Sequence, residues 1–380
     1  LYFRRQFADL FFCRQPINMS HNKKKILLIC PYPEDTAPGQ RLRYEQYLNL
    51  FRKEGYDIQV SSFMTYRFNS IVYKPGNIPE KIFWTLFGYT KRLLQLFTLW
   101  RYDAVYVFLW VTPFGLPLFE KLFVLINPNM IYDIDDMVFL GHSSKANKSI
   151  KILKGTRKIT YLMQKSRHIV VSTPSNEEFA RKYNNAITDI SVAINTDVYL
   201  PANKYSNDDV ITIGWSGSHS TSRYLVLLEE VLRKFAGRSN IRILVIGDTT
   251  FRFNGFDCET IPWQSATEVK DLQKIDIGLY PLPDEQWVYG KSGGKALQYM
   301  ALGIPTIATG IGTNFRIIDD GESGFLVRTD EEWINKIEFL LNHPEERKRI
   351  GMNGRLKVEK EYSLHVNKKY YLDIFAKVVG

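Results

Sequence analysis

Between Asp276 and Val327 the chain alternates short apolar runs with glycine-rich turns, and few architectures can hold that rhythm. Ile275 to Leu282 suits a buried strand and is too short for a typical helix. A polar loop follows, Tyr289-Gly290-Lys291-Ser292-Gly293-Gly294, and the spacing then predicts a helix from Lys295 to Leu302. Gly303 reads as its C-terminal cap, and Ile304 to Ala308 as the next strand. A strand, a glycine loop and a helix start aim backbone N–H groups and a positive helix end at one point. Lys291 and Lys295 add full charges there. The reading is a diphosphate-binding crevice at the carboxyl edge of a parallel sheet. A Walker loop is excluded, because that motif needs a glycine five residues before Gly290 and Glu285 stands there.

The rest of the chain repeats the strand–helix alternation. Strands are predicted at Ile26 to Cys30, Asp57 to Phe63, Ala104 to Trp110, Met130 to Asp133, His168 to Ser172 and Asp189 to Ile194. Helical spacing lies between them, in Tyr44, Tyr47, Leu48 and Phe51, in Phe114 to Leu125 and in Ser175 to Tyr183. A second series opens at Val210 to Trp215, then a helix over Thr221 to Ala236 and a strand over Ile241 to Gly247. Ile275, Ile304 and Phe325 begin three further strands. Thr329 with Glu332 is a capping box for a helix to Asn342, Pro344 opens another, and Leu364 to Val379 is a last helix. The pattern is α/β and doubly wound. With 380 residues, two domains are expected.

The run Lys295-Ala296-Leu297-Gln298-Tyr299-Met300-Ala301-Leu302-Gly303-Ile304-Pro305, the loop Gly310 to Thr313 and Asp320-Gly321-Glu322-Ser323-Gly324-Phe325-Leu326-Val327 resemble the sugar-nucleotide half of group-1 (family 4) glycosyltransferases. The resemblance extends more weakly over residues 23–380 and implies the GT-B fold: two Rossmann-like parallel-sheet domains facing a cleft. It implies an acceptor-side domain at 23–200, with helix 364–380 packing back on it, and a donor-binding domain at 201–363. Residues 1–22 stand apart as an extension, read as a non-native remnant, an upstream segment or an amphipathic anchor, with Met19 a candidate start.

Donor contacts are expected at Gly214, Ser216, Gly217 and Ser218, between a strand and a helix start, where small residues let backbone approach phosphate oxygens. Arg223 resembles the basic residue that neutralises the donor diphosphate. Gly247 and Trp263 fall near the nucleotide base by resemblance, Trp263 being either a stacking face or a core residue. The loop Lys291, Ser292, Gly293, Gly294, Lys295 completes the phosphate site. The family usually carries two glutamates eight positions apart. Here the second is Gln298 and the first falls on Gly290, leaving Asp284 or Glu285 to reach the sugar.

On the other side, Tyr132-Asp133-Ile134-Asp135-Asp136 ends a strand. Clustered carboxylates bind divalent cations, but this cluster lies in the half away from the diphosphate crevice. Asp135 and Asp136 are instead candidates to polarise an acceptor hydroxyl, with strand-end capping the alternative. Gly39, Arg41 and Arg43 follow the first strand and face acceptor or phosphate. Cations at a helix start oppose its dipole, which favours a functional reading for the two arginines. The proposed catalytic set is Asp135, Asp136, Arg223 and Lys291, with no metal and no cofactor. Of the histidines, His142 and His219 lie near these loops and read as local hydrogen-bonding residues.

The net charge of +10 favours anionic partners. No zinc finger, RNP-like motif or basic tail points to nucleic acid. Three scattered cysteines suggest neither a disulfide framework nor a zinc site, and fit a reducing cytoplasm. Ile78 to Trp100 is apolar and aromatic nearly all round, with Lys81, Lys91 and Arg92 interspersed. It is either a pair of core helices or an interfacial helix on anionic lipid at the inner face of the membrane. The expected function is retaining, metal-independent sugar transfer from a nucleotide-sugar to a glycan or lipid-linked acceptor, as in bacterial surface polysaccharide assembly. A nucleotide-sugar epimerase of the same fold and a non-catalytic nucleotide-sugar-binding relative are the alternatives.

Overall fold

The structure is a computed structural model that describes residues 23–140, 156–202 and 210–380. The N-terminal extension, His142 and residues 203–209 lie outside the described residues. Two six-stranded parallel sheets organise the chain. The first contains β1 (Lys24–Cys30), β2 (Tyr56–Ser62), β3 (Ala104–Phe108), β4 (Met130–Ile134), β5 (His168–Val171) and β6 (Ile187–Asp189), in the order β2-β1-β3-β4-β5-β6. The second contains β7 (Ile211–Ser216), β8 (Ile241–Ile246), β9 (Glu259–Ile261), β10 (Ile277–Tyr280), β11 (Thr306–Thr309) and β12 (Phe325–Val327), in the order β12-β11-β10-β7-β8-β9. Strands β3, β4, β5 and β10 are buried along their whole length, which is why their sequences are mainly apolar rather than alternating, with Asp133 and His168 the buried polar exceptions.

Helices α1 (Pro38–Arg43), α2 (Leu48–Lys53), α3 (Tyr66–Val72), α4 (Ile78–Leu96), α5 (Leu118–Ile126), α6 (Thr156–Lys165) and α7 (Pro174–Arg181) accompany the first sheet. Helices α8 (Glu229–Arg233), α9 (Glu268–Leu272), α10 (Gly294–Ala301), α11 (Asn314–Ile317), α12 (Asp330–Asn342) and α13 (Pro344–Lys357) accompany the second. The capping box at the start of α12 is formed, with Thr329 accepting from the Glu332 backbone. Then α14 (Leu364–Val379) returns to the first sheet, where Tyr371, Ile374, Phe375 and Val378 join a core with Ile26, Leu28 and Tyr106. Rings of Phe51 and Phe375 meet edge-on with centroids 4.9 Å apart.

Three local expectations change. The helix predicted over Thr221 to Ala236 is a 3-10 helix, Ser222–Leu228, followed by the short α8. Ser222, Leu225 and Leu228, three of its four buried residues, fall at every third position, the repeat of a 3-10 turn rather than an α-helix. The strand expected from Asp189 to Ile194 is β6, ending at Asp189. Beyond it the chain leaves the sheet, and Ile194 pairs with the segment before α14, donating to Tyr362 at 2.9 Å. Finally, Glu259–Ile261 joins the second sheet as β9, a strand whose few residues carry too little pattern to be read.

The two halves meet along the carboxyl edges of both sheets. Ion pairs cross between them at Lys291–Asp136, Arg41–Glu268 and Arg316–Asp189, with N–O separations of 2.9, 3.1 and 2.5 Å. Gly290 lies against this seam. A Cβ there would sit 2.5 Å from Met137 Cγ and 2.7 Å from its backbone nitrogen. Only a glycine lets the loop before α10 touch the segment after β4.

Candidate functional site

The start of α10 is built to be left open. Gly293 takes a left-handed conformation (φ +74°), and a Cβ there would fall 2.1 Å from Ile317 Cδ1. No side chain caps the helix, so its first backbone N–H groups face the cleft with Lys291, Ser292 and Lys295 around them. Lys295 lies 5.7 Å over the Trp215 ring. Burial and the neighbouring Lys291 bring its ammonium down to about 8. Burial also works against the Lys291 charge, but Asp136 holds its pKa above the ordinary lysine value. Two ammonium groups crowded at an uncapped helix start are stabilised by an anion between them.

The three carboxylates after β4 go to three destinations. Asp133 is fully buried in the first sheet and accepts from Arg43 and Tyr106. Asp135 accepts from Ser172 Oγ at 2.9 Å and lies beside Gly39, whose absent Cβ would be 3.2 Å from its Oδ2. Burial, then the Asp136 charge, raises the Asp135 carboxyl to about 6. Asp136, in a left-handed conformation (φ +58°) uncommon for a residue with a side chain, turns toward Lys291. Asp135 and Asp136 therefore stand on the opposite wall from the α10 start, while Asp133 is structural.

The sequence reading of Arg43 is corrected. Its side chain is completely buried and donates to Asp133 and to the Ile190 carbonyl, so it reaches neither acceptor nor phosphate. The dipole argument fails too, because α1 begins at Pro38 and both arginines occupy its last turn, where cations complement the helix. Arg41 does face the cleft. It pairs with Glu268 and lies 5.4 Å over the Trp263 ring.

Glu268 is the residue that sequence reasoning missed. Its nearly buried carboxylate accepts from Arg41 (3.1 Å), Tyr199 Oη (2.8 Å), Trp263 Nε1 (2.9 Å) and Gln298 Nε2 (3.2 Å). Four donors from four separate segments converge on one group. Nothing in Thr267-Glu268-Val269-Lys270 distinguishes it from an exposed helix start. Gln298 is thus engaged inside the protein by Glu268 and Tyr199 rather than presented to a ligand, and one face of Trp263 is occupied by Arg41.

The glycines after β7 and β8 serve packing. The position of a Cβ on Gly214 is filled by Ile275 at 2.4 Å, on Gly217 by Trp215 at 2.3 Å, and on Gly247 by the Gly217 carbonyl at 2.0 Å. Their smallness lets protein approach protein, which corrects the reading of them as ligand-facing. Ser216 is buried and its backbone donates to Tyr299 Oη at 2.7 Å, while Ser218 is exposed and bonds Ser220 and Thr221. Next to them burial would raise the Asp248 carboxyl, but bonds from Ser222, Thr250 and His219 hold it down to about 2. Arg223 is exposed and stacks over Tyr224 (5.1 Å), Tyr224 packs on Trp287 (5.4 Å), and Lys291 lies over Trp287 (5.5 Å). This cation–aromatic row joins Arg223 to the Lys291 loop along one wall. Asp284 and Glu285 are exposed. Glu285 accepts from Trp287 Nε1, and Asp284 lines a cavity of about 780 Å³ with Pro281, Thr309, Gly312, Phe315 and Arg316.

Residues 209–343 match the family described as glycosyl transferases group 1. The matched residues run from β7 to α12. Trehalose synthase of Pyrococcus horikoshii is 28% identical over 166 residues, 43% of this chain and 35% of that protein's length. The match thus spans about a third of the curated relative. Sucrose-phosphate synthase from Thermosynechococcus elongatus superposes with a TM-score of 0.68 at 15% identity, over 93% of this chain and 100% of the other. A glycosyltransferase from Rickettsia africae does so with 0.66 at 16%, over 94% and 99%. HepE from Anabaena, solved with UDP and glucose, gives 0.62 at 11%, over 93% and 100%. The fold is GT-B.

Proposed function

We propose that this protein transfers a sugar from a nucleotide-sugar donor to a hydroxyl of a glycan or lipid-linked acceptor, with retention at the anomeric carbon and without a metal. One observation carries the reading. An uncapped helix start bearing Lys291 and Lys295 faces Asp135 and Asp136 across a single cleft. In the reaction the bond from the anomeric carbon to the leaving phosphate oxygen breaks, and the acceptor oxygen bonds to that carbon. The acceptor's proton passes to the departing diphosphate, and charge develops on the diphosphate as it leaves. Lys291, Lys295, the α10 N–H groups and Arg223 meet that charge already in place. Asp135, held by Ser172, accepts a hydrogen bond from the incoming hydroxyl and orients it. The ion pairs across the seam close the halves on the substrates and exclude water. The complex of HepE with UDP and glucose supports a nucleotide-sugar as donor.

The resemblance supports a place in assembly of surface polysaccharide or lipid-linked glycan on the cytoplasmic side of a membrane. A second reading, a nucleotide-sugar-binding relative without turnover, draws support from Gln298 being consumed by Glu268 and Gly290 by Met137. Those are the two positions where the family carries its glutamates.

A thermal-shift screen of the full chain against UDP, GDP, ADP, CDP and dTDP, with and without magnesium, tests the donor site. A ligand at about a hundred times its dissociation constant adds roughly 2.7 kcal/mol. The expected result is one nucleoside diphosphate that stabilises the chain without magnesium and loses its effect in Lys291→Ala. No shift with any of them overturns the donor reading. Binding without product from the matching nucleotide-sugar, across an acceptor panel, selects the relative without turnover. The anomeric configuration of the product by NMR tests retention.

A further inference from the structure

Helix α4 is amphipathic the wrong way round. Its buried residues are Gly88 and Arg92. Its exposed positions are Ile78, Pro79, Ile82, Phe83, Leu86, Phe87, Thr90, Leu93 and Leu94, apolar but for one threonine, and Phe97 and Trp100 continue the row. A surface helix of a water-soluble domain normally presents the opposite face. The inversion is fixed by packing. A Cβ at Gly88 would fall 2.5 Å from Phe63, so the helix backbone lies directly on that ring. Arg92, wholly buried with no carboxylate beside it, donates to the carbonyls of Cys30, Ser61 and Val111 and to the Ser61 and Gln95 side chains. Four of these hydrogen bonds go to acceptors outside the helix and hold its apolar row from rotating inward.

The row extends onto α5. Tyr89 packs on Phe119 (5.6 Å between centroids) and donates to the Phe114 carbonyl, and Leu116, Leu118 and Leu125 are exposed beside them, Leu125 at 78%. A contiguous apolar face of this kind on a monomer marks an interaction site. Its charge narrows the partner. Between Phe63 and Ile126 the acidic side chains are Glu80, Asp103 and Glu120, and each is engaged: with Arg67, with Lys24 and with the buried Lys158. Lys74, Arg101 and Lys121 are exposed cations around the apolar row. A second copy of this chain in a two-fold contact would bring that rim against itself, cation to cation, with the three carboxylates of residues 63–126 already paired. Among the described residues no helix is long and apolar enough to cross a membrane.

We infer that the face formed by α4 and α5 lies in the interface of an anionic lipid bilayer, apolar row in the acyl boundary and Lys74, Arg101 and Lys121 at the headgroups. The strand-end carbonyls that hold Arg92 belong to the edge of the first sheet from which Asp135 and Asp136 also follow. Docking by α4 therefore brings the cleft beside the membrane surface, where a lipid-linked hydroxyl enters. The inference is independent of the transfer reading, since vesicle binding requires neither donor nor acceptor.

Co-sedimentation of the full chain with phosphatidylcholine vesicles, with and without phosphatidylglycerol, tests it. Binding is expected to the mixed vesicles and to weaken with salt. It should drop ~tenfold or more in Leu86→Ser/Leu94→Ser and, separately, in Lys74→Glu/Lys121→Glu. These positions are exposed, so unchanged melting and an unchanged nucleoside diphosphate shift establish that the variants are folded. The inference is overturned if the chain stays in the supernatant with mixed vesicles, or binds both vesicles equally. It is likewise overturned if analytical ultracentrifugation finds a dimer that Leu86→Ser/Leu94→Ser dissociates.

Discussion

Lys291, on the loop before α10, donates to both carboxylate oxygens of Asp136 at 3.0 and 2.9 Å, tying the donor-side loop to the end of β4. The same ammonium is the one proposed to meet a diphosphate. Asp136 therefore competes with the ligand for it. Asp136→Asn is expected to tighten nucleoside diphosphate binding a few-fold, the scale of a partly exposed pair, while lowering turnover. Lys291→Ala is expected to weaken binding by roughly tenfold or more. Isothermal titration on both variants checks the pair, and equal weakening by both would remove the competition.

The pH dependence follows from two opposed shifts. Asp135 is raised from 3.8 to about 6, so its carboxylate exists above that pH, and Lys295 is lowered from 10.5 to about 8, so its ammonium exists below. Activity is expected to rise as pH passes about 6 and diphosphate affinity to fall as pH passes about 8. Removing the neighbouring charge in Asp136→Asn lowers the Asp135 pKa, moving the acid limb to lower pH. Lys295→Arg, which stays charged, should flatten the upper limb. Rate and affinity profiles from pH 5 to about 9 decide it.

Arg43 and Asp133 form a closed pair in the first sheet with Tyr106. Arg43→Ala leaves a buried carboxylate without its counter-charge and is expected to cost about 3–5 kcal/mol in urea unfolding. The double variant Arg43→Met/Asp133→Leu should recover most of that. Donor affinity per folded molecule should stay unchanged, because neither side chain reaches the cleft.

Gln298 stands where the family resemblance leads one to expect a glutamate, and its contacts offer a local reason for a neutral side chain. Its amide donates to Glu268 at 3.2 Å. Gln298→Glu would set two carboxylates against each other in a nearly buried site, and one must stay protonated. The variant is expected to melt lower, increasingly so as pH rises toward neutrality, by an amount equivalent to roughly 1–3 kcal/mol. The swap Gln298→Glu/Glu268→Gln should restore most of the loss. An unchanged melting curve in the single variant would sink this account.

Gly290→Ala probes the seam itself. The added methyl meets the backbone nitrogen of Met137, which cannot move without moving β4. The expected result is a larger radius of gyration by small-angle scattering and a raised KM, with a cost of about 1–3 kcal/mol falling on closure rather than on either core.

Linear sequence determined what depends on neighbours along the chain. Uniform apolar runs named most of the strands, because a strand of a covered parallel sheet is buried on both faces. Gly293-Gly294 marked the helix start that no side chain caps, since caps, dipoles and local charge are set within a turn. Tertiary structure alone decided which polar side chains remain available. Arg43 and Arg41 look equivalent in sequence, yet one closes on Asp133 in a core and the other crosses the cleft to Glu268. Glu268 itself gathers donors from four distant segments, and α4 turns its apolar row outward because Arg92 finds strand-end carbonyls beneath it. A buried charge is fixed by the partners the fold brings to it, and those partners have no spacing a sequence can show.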